Sequence, residues 1–138
     1  WWLQHRRKVP YPLDELTGFM CGFYDPYVVN GDVLAHAMGL GGAWFDSGIN
    51  ALSVVGLFIP PERLSLQDSR MTRVENMPCD QLQGHAFFSF DTESGGIGRG
   101  IIDTNWTLGL NSKITRFYYD RSGYEVILNH SSERLSMA

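Results

Sequence analysis

Polar side chains set into apolar stretches are the informative positions of this chain. A buried polar group must find a partner or a function. His85 opens HAFFSFD (85–91) and, on the two-residue period of a strand, shares a face with Phe87 and Ser89. Asp103 follows Ile101 and Ile102 and shares a face with Ile101 and Asn105. Arg116 stands between Thr115 and Phe117, on the face of Ile114 and Tyr118. An imidazole, a carboxylate, a guanidinium and a phenol turned into one cavity would orient a small molecule and exchange protons with it. His85, Asp103, Arg116 and Tyr118 are therefore the candidate catalytic groups. If the face of Arg116 is interior it needs a carboxylate, which Asp103 or Glu125 can supply. If that face is exterior, Arg116 is an ordinary cross-strand residue.

A second candidate is HAMGLGGAWFDSG (36–48), bracketed by His36 and Asp46. A histidine oriented by a carboxylate is the usual general base. The plainer alternative is a histidine near a strand end and a turn at Asp46-Ser47-Gly48. GLGGAW is not a phosphate loop: it contains G-x-G but lacks the third glycine, a basic setting and a surrounding βαβ unit. It reads as a glycine corner with Trp44 packed beside it, placing His36 and Asp46 on the rim of a pocket. Walker, G-x-S-x-G, H-E-x-x-H, C-x-x-C and EF-hand patterns are missing, so no metal or cofactor is implied.

The aromatic residues reach 13% of the chain. Tyr24, Tyr27, Trp44, Trp106, Phe117, Tyr118, Tyr119 and Tyr124 exceed what one small core needs. Such rings either line a cavity for an apolar ligand or fill the core. On the first reading His36, Trp44, Asp46, Trp106 and Tyr124 bind the ligand.

The elements that must position these residues follow from composition and period. Glycine is frequent, at 15 residues, and lysine is confined to Lys8 and Lys113. Aromatic and β-branched residues then favour strands over helices. The net charge is −4, and Arg6, Arg7 and Lys8 form the one basic cluster, so nucleic acid is not an expected partner. The longest apolar run, INALSVVGLFI (49–59), is too short to span a bilayer as a helix. Cys21 sits in apolar GFMCGFY, which favours a packed thiol over a disulfide with Cys79. The sequons at Asn105 and Asn129 leave the compartment open.

Residues 1–12 read as an N-terminal arm and 13–138 as one β-rich domain. PLDELTGF (12–19) can start a short helical turn, with Pro12 at its first position and Gly18 stopping it. VVNGDV (28–33) carries Asn-Gly between apolar runs, a hairpin cue, against the alternative of a helix from Asp32. INALSVVGLFI reads as a buried strand bent at Gly56 and ended by Pro60-Pro61. TESGG (92–96) is a turn, and IGRGIIDTNWTLGL (97–110) continues as strand through Trp106, Leu108 and Leu110. The span 113–129 folds back on itself through DRSG as a hairpin with a left-handed glycine.

Turn signals every 8 to 12 residues match an all-β sandwich or barrel. The expected fold is mainly β, an antiparallel barrel of the lipocalin or calycin kind with a short N-terminal helical turn. The alternative is an α+β cone of the NTF2-like kind with a curved antiparallel sheet. The expected function is binding of a small, largely apolar molecule in an aromatic-lined cavity, with a cofactor-free cyclisation, isomerisation or dehydration there. A structural or interaction module, a glycan-binding β-sandwich with Trp44 or Trp106 stacked on sugar, and a homo-oligomer are the other readings.

Overall fold

A computed structural model describes residues 15–72, 82–119, 123, 125–132 and 134–137. The N-terminal arm, Cys79 and Tyr124 lie outside them. In chain order the elements are β1 (Leu16–Tyr24), β2 (Val28–Val29), β3 (Asp32–Val33), a 3₁₀ segment (Ala35–Leu40), a π-helical turn (Trp44–Gly48) and α1 (Ile49–Val55). A 3₁₀ turn (Pro61–Arg63) then leads to β4 (Leu64–Thr72), β5 (Gln83–Asp91), β6 (Ile97–Asn105), β7 (Ser112–Tyr119), β8 (Glu125–Asn129) and β9 (Arg134–Met137).

Seven strands form one sheet in the order β4-β5-β6-β1-β7-β8-β9. β1 runs parallel to β6, and every other neighbouring pair is antiparallel. The sheet is mixed and open, because its edge strands β4 and β9 are not paired with each other. A closed antiparallel barrel is thereby overturned. The cone with N-terminal helices is overturned as well: Leu16–Tyr24 is the central strand, not a helical turn, and the helical layer follows it. Strand alternation specifies which residues share a face. It carries no information on whether the last strand meets the first.

One face of the sheet is covered and the other is open. Phe19, Cys21 and Phe23 of β1 are buried, while Met20 between them is 43% exposed. Ala86, Phe88 and Phe90 likewise turn inward and Phe87 outward, as the alternation in HAFFSFD requires. The cover is the helical segment ending in α1. Ala51, Val55 and Ile59 are buried at four-residue spacing, and Leu52, Val54 and Phe58 pack beside them. This corrects the strand expected at 49–59. Val54 and Val55 favour strand locally, but burial of a helical stripe against the sheet outweighs that preference. The strand expected through Trp106 also ends earlier, at Asn105, leaving Leu108 and Leu110 exposed.

The short-range turns come out as read. Asn30 and Gly31 both have positive φ, 52° and 82°, and close the β2–β3 hairpin in the manner of a type I′ turn. Gly95, at φ 87°, lies in the 92–96 turn, where the Thr92 amide donates to the Gly96 carbonyl. β7 and β8 pair through Phe117 with Val126 and Tyr118 with Glu125, and Gly123 has φ 65°.

Aromatic rings lie over bare backbone in this core. A Cβ added at Gly100 would stand 2.1 Å from the ring of Phe19. Gly100→Ala is therefore expected to lower stability by about 1–3 kcal/mol, as overpacked cores do. Urea denaturation measures this, and an unchanged midpoint would show that the Phe19 ring can move aside.

Two titratable groups sit on the covered side, Cys21 buried and His130 half-buried. Burial pushes the free thiol of Cys21 up to about 12, partly offset by a hydrogen bond with Thr115. The His130 ring lies 5.3 Å from that of Phe23, with Nε2 3.0 Å from the Thr115 hydroxyl. Burial lowers its pKa below the ordinary 6.5. The unfolded chain then takes up a proton that the folded chain resists, so this contribution to stability is lost as pH falls from 6.5. Thermal unfolding of His130→Gln across this window should show a shallower acid-side decline than the unsubstituted chain.

Candidate functional site

The parallel pair has its carboxyl ends on one side, where Tyr24 lies opposite Asn105. β7 begins on the same side, with Ser112 opposite Tyr24. Three chain segments therefore converge there: the turn after Tyr24, the bend after Asn105 and the entry to β7. Asp25, Trp106 and Lys113 lie on them. The helical layer brings up Ser47 and Asp46.

Asp25 is a buried carboxylate, 5% exposed. Lys113 Nζ donates to its Oδ1, and Ser47 Oγ donates to its Oδ2 at 2.6 Å. The indole of Trp106, fully buried, donates to Ser47 Oγ at 3.2 Å. Lys113 Nζ also donates to Asn111 Oδ1 at 3.4 Å. Such pairing is what allows a charge to remain buried. A column of rings leads outward from this floor. Trp106 meets Tyr27 edge-on at 5.0 Å, and Tyr27 meets exposed His36 edge-on at 5.3 Å.

Asp46 is half-buried beside this network. Burial raises its pKa, and the charge of Asp25 raises it further, while Lys113 and Ser47 pull it back. The Tyr27 phenol is raised first by burial, then by Asp25 and Asp46. Two carboxyls, an ammonium, a phenol and an imidazole thus gather at one end of the sheet. Such a set can hydrogen-bond a polyhydroxylated ligand and hold or return a proton at a hydroxyl or carbonyl oxygen.

The glycines explain why the chain turns here. Gly41 and Gly42, at φ 82° and 102°, adopt left-handed backbone that side chains resist, and they separate the 3₁₀ segment from the π turn. A Cβ at Gly48 would stand 2.5 Å from the Trp44 ring, so the ring crosses the turn only over a glycine. π turns are rare and frequently found at functional sites. This one turns Ser47 inward and leaves Asp46 beside it partly exposed. The glycine corner is thus real, but it joins two helical segments rather than strands.

The other candidates lie on the open face. His85 and Asp103 are cross-strand partners, with Nδ1 and Oδ1 2.8 Å apart. The Tyr24 hydroxyl donates to Asp103 Oδ2 at 2.6 Å, its ring lying across Gly22. Arg116 Nη1 donates to Glu125 Oε1 at 2.8 Å, so its partner is Glu125 rather than Asp103. Tyr118 is exposed beside them, its phenol raised by burial and by the Glu125 charge. These groups form two ion-paired sets on an uncovered surface, not the lining of a barrel. Trp44 packs half-buried against the main core, and Trp106 is fully buried, which removes it as a platform for sugar.

Sequence reasoning missed Asp25, Ser47 and Lys113 as site residues, and named Tyr27 only among the rings that line a cavity or fill the core. The available signal was the scarcity of lysine, which makes Lys113 conspicuous in an apolar strand. Among the described residues no group of three or more His, Cys, Asp or Glu side chains could hold a metal ion, and no helix is long and apolar enough to cross a membrane.

No protein-family model matches the chain, and no curated protein matches it in sequence. Its fold is similar to that of solved oxidoreductases. UDP-N-acetylglucosamine 3-dehydrogenase GnnA from Acidithiobacillus ferrooxidans superposes with a TM-score of 0.67 at 10% identity, over 99% of this chain and 39% of that one. D-galactose-1-dehydrogenase from Rhizobium etli gives 0.65 at 19% identity, over 91% and 38%. KijD10, a 3-ketoreductase from Actinomadura kijaniata in complex with TDP-benzene and NADP, gives 0.63 at 14% identity, over 98% and 43%. The chain thus spans about two fifths of the length of these proteins.

The open sheet and these neighbours overturn cofactor-free chemistry on an apolar molecule inside a barrel. The described residues do not form the usual dinucleotide cradle, in which the pyrophosphate sits on a glycine-rich turn from a strand into a free helix N-terminus. Here the glycines lie between two helical segments, and the first turn of α1 continues directly from the π turn. What the comparison establishes is the fold: the mixed, open sheet of this chain superposes on part of each of these structures.

Proposed function

We propose that this chain is the substrate-side part of an NAD(P)-dependent oxidoreductase that acts on a hydroxyl or carbonyl of a sugar-like molecule. The observation that carries this reading is the convergence of Asp25, Asp46, Lys113, Tyr27 and His36 at the carboxyl end of the parallel pair. The shared fold supports it, since the solved neighbours include two sugar dehydrogenases and a ketoreductase. This reading assigns the dinucleotide to another part of the full protein, since the described residues do not form its usual strand-to-helix cradle.

In this reading the substrate hydroxyls meet donors and acceptors on a half-dry surface. Asp46 holds or returns the proton of the reacting oxygen, since its environment favours the protonated form more than water does. Tyr27 and His36 contribute polar contacts from the ring column, and Trp44 backs the turn that carries Asp46. The proton chemistry belongs at Asp46 rather than at His85, Asp103, Arg116 and Tyr118, which are engaged on the uncovered face.

The test is thermal unfolding with a panel of free sugars and nucleotide sugars. A ligand at one hundred times its dissociation constant adds about 2.7 kcal/mol of stability. We expect stabilisation by at least one sugar class and a weaker response in Asp46→Ala. Absence of any response across the panel, with the chain folded, would sink the proposal.

A further inference from the structure

The buried network below Asp46 suggests a division of labour within the site. We propose that Asp25 is a positioning residue for Asp46: its bonds to Ser47 and Lys113 anchor the one-turn segment carrying Asp46 and hold a second negative charge beside it. This rests on Asp46 being the substrate-facing group and adds what makes it so.

The geometry is specific. Asp25 lies immediately after β1, and Ser47 is the residue next to Asp46. The hydrogen bond between them, 2.6 Å long and fully buried, ties the π turn to the end of the central strand. Trp106 locks the same hydroxyl from below, through its indole N–H. The Asp25 carboxylate and the Trp106 indole together hold the Ser47 hydroxyl on the inner side of the turn. Asp46 is thereby held outward while its neighbour is held inward.

The charges act in the same place. The titratable and charged groups that bear on Asp46 are Asp25 from the end of β1, Lys113 from β7 and Tyr27 from the segment after β1. At Asp46 the two act in opposite directions, Asp25 raising its pKa and Lys113 lowering it. Removing one of them unbalances the field at Asp46, and the sign depends on which charge goes.

The experiment follows the Asp46 carboxyl by carbon NMR as a function of pH. In Asp25→Asn the negative charge disappears and an unpaired ammonium stays, so the Asp46 midpoint should move down. In Asp25→Asn/Lys113→Met both charges are gone, so the midpoint should move back up. A merely structural role would expose the turn and shift both variants in one direction. A midpoint that does not move in Asp25→Asn, or that moves further down in the double variant, overturns the proposal.

The double variant leaves no uncompensated buried charge and so serves even where the single one does not fold. Amides of the 44–48 turn should exchange faster in it than in the unsubstituted chain, with protection of β1 and β6 retained. Unchanged exchange in that turn also overturns the proposal. If the midpoints respond as expected while Asp46→Asn leaves turnover unaltered, the positioning role stands and the substrate reading falls.

Discussion

Under the proposed function, Asp46→Asn should lower turnover of the full protein by roughly 10²- to 10⁴-fold, the range for loss of a positioned proton-exchanging group. Asparagine keeps the shape of the side chain and most of its hydrogen bonding. It cannot take up or release a proton. The fold should not suffer. Burial and the Asp25 charge raise the Asp46 pKa, so ionised Asp46 is a liability to the folded state. The sign of its pH dependence follows. A carboxyl with a raised folded pKa costs stability as pH rises from its ordinary value, 3.8, through the folded one. The asparagine variant should escape that cost and be as stable as the unsubstituted chain, or slightly more so, at neutral pH. Steady-state kinetics and urea denaturation at neutral pH check both halves. A variant that turns over normally would remove Asp46 from the chemistry.

Trp106→Ala should destabilise the chain by about 3–5 kcal/mol, as for other large aromatic truncations in cores. Trp106 is fully buried and belongs to a second cluster with Val33, Ala37, Ala43 and Leu82, apart from the main core under α1. That cluster holds the 3₁₀ segment against the sheet, and Tyr27 and Val28 pack on it. Truncation leaves a cavity beneath the site and removes the donor to Ser47 Oγ. Trp106→Phe separates the two effects. It retains most of the apolar volume and loses the N–H, so it should cost on the order of 1 kcal/mol, a typical net hydrogen-bond contribution. Denaturant midpoints of both variants decide it. Equal losses would mean that the hydrogen bond, not the volume, carries the stability.

Much of the local structure was legible in the sequence. Asn30-Gly31 and Gly123 mark turns because only particular residues accept positive φ. HAFFSFD shows its faces because a strand alternates, whatever it pairs with. GLGGAW was readable as something other than a phosphate loop from its glycine spacing and setting. The helix at 49–55 was not legible. Its apolar residues satisfy a strand and a helix equally over so short a span, and the covered face of the sheet settles the choice. His85 and Asp103 are each conspicuous in their own strand, and only register makes them partners.

The sequence by itself determined turn positions and strand alternation, because these depend on dihedral preference and period within a few residues. Only the tertiary structure decided that β1 lies between β6 and β7, that the sheet stays open, and that Asp25 meets Lys113. Those two residues are 88 positions apart. Their encounter depends on strand order, which arises from the burial of whole faces and is written in no single stretch of chain.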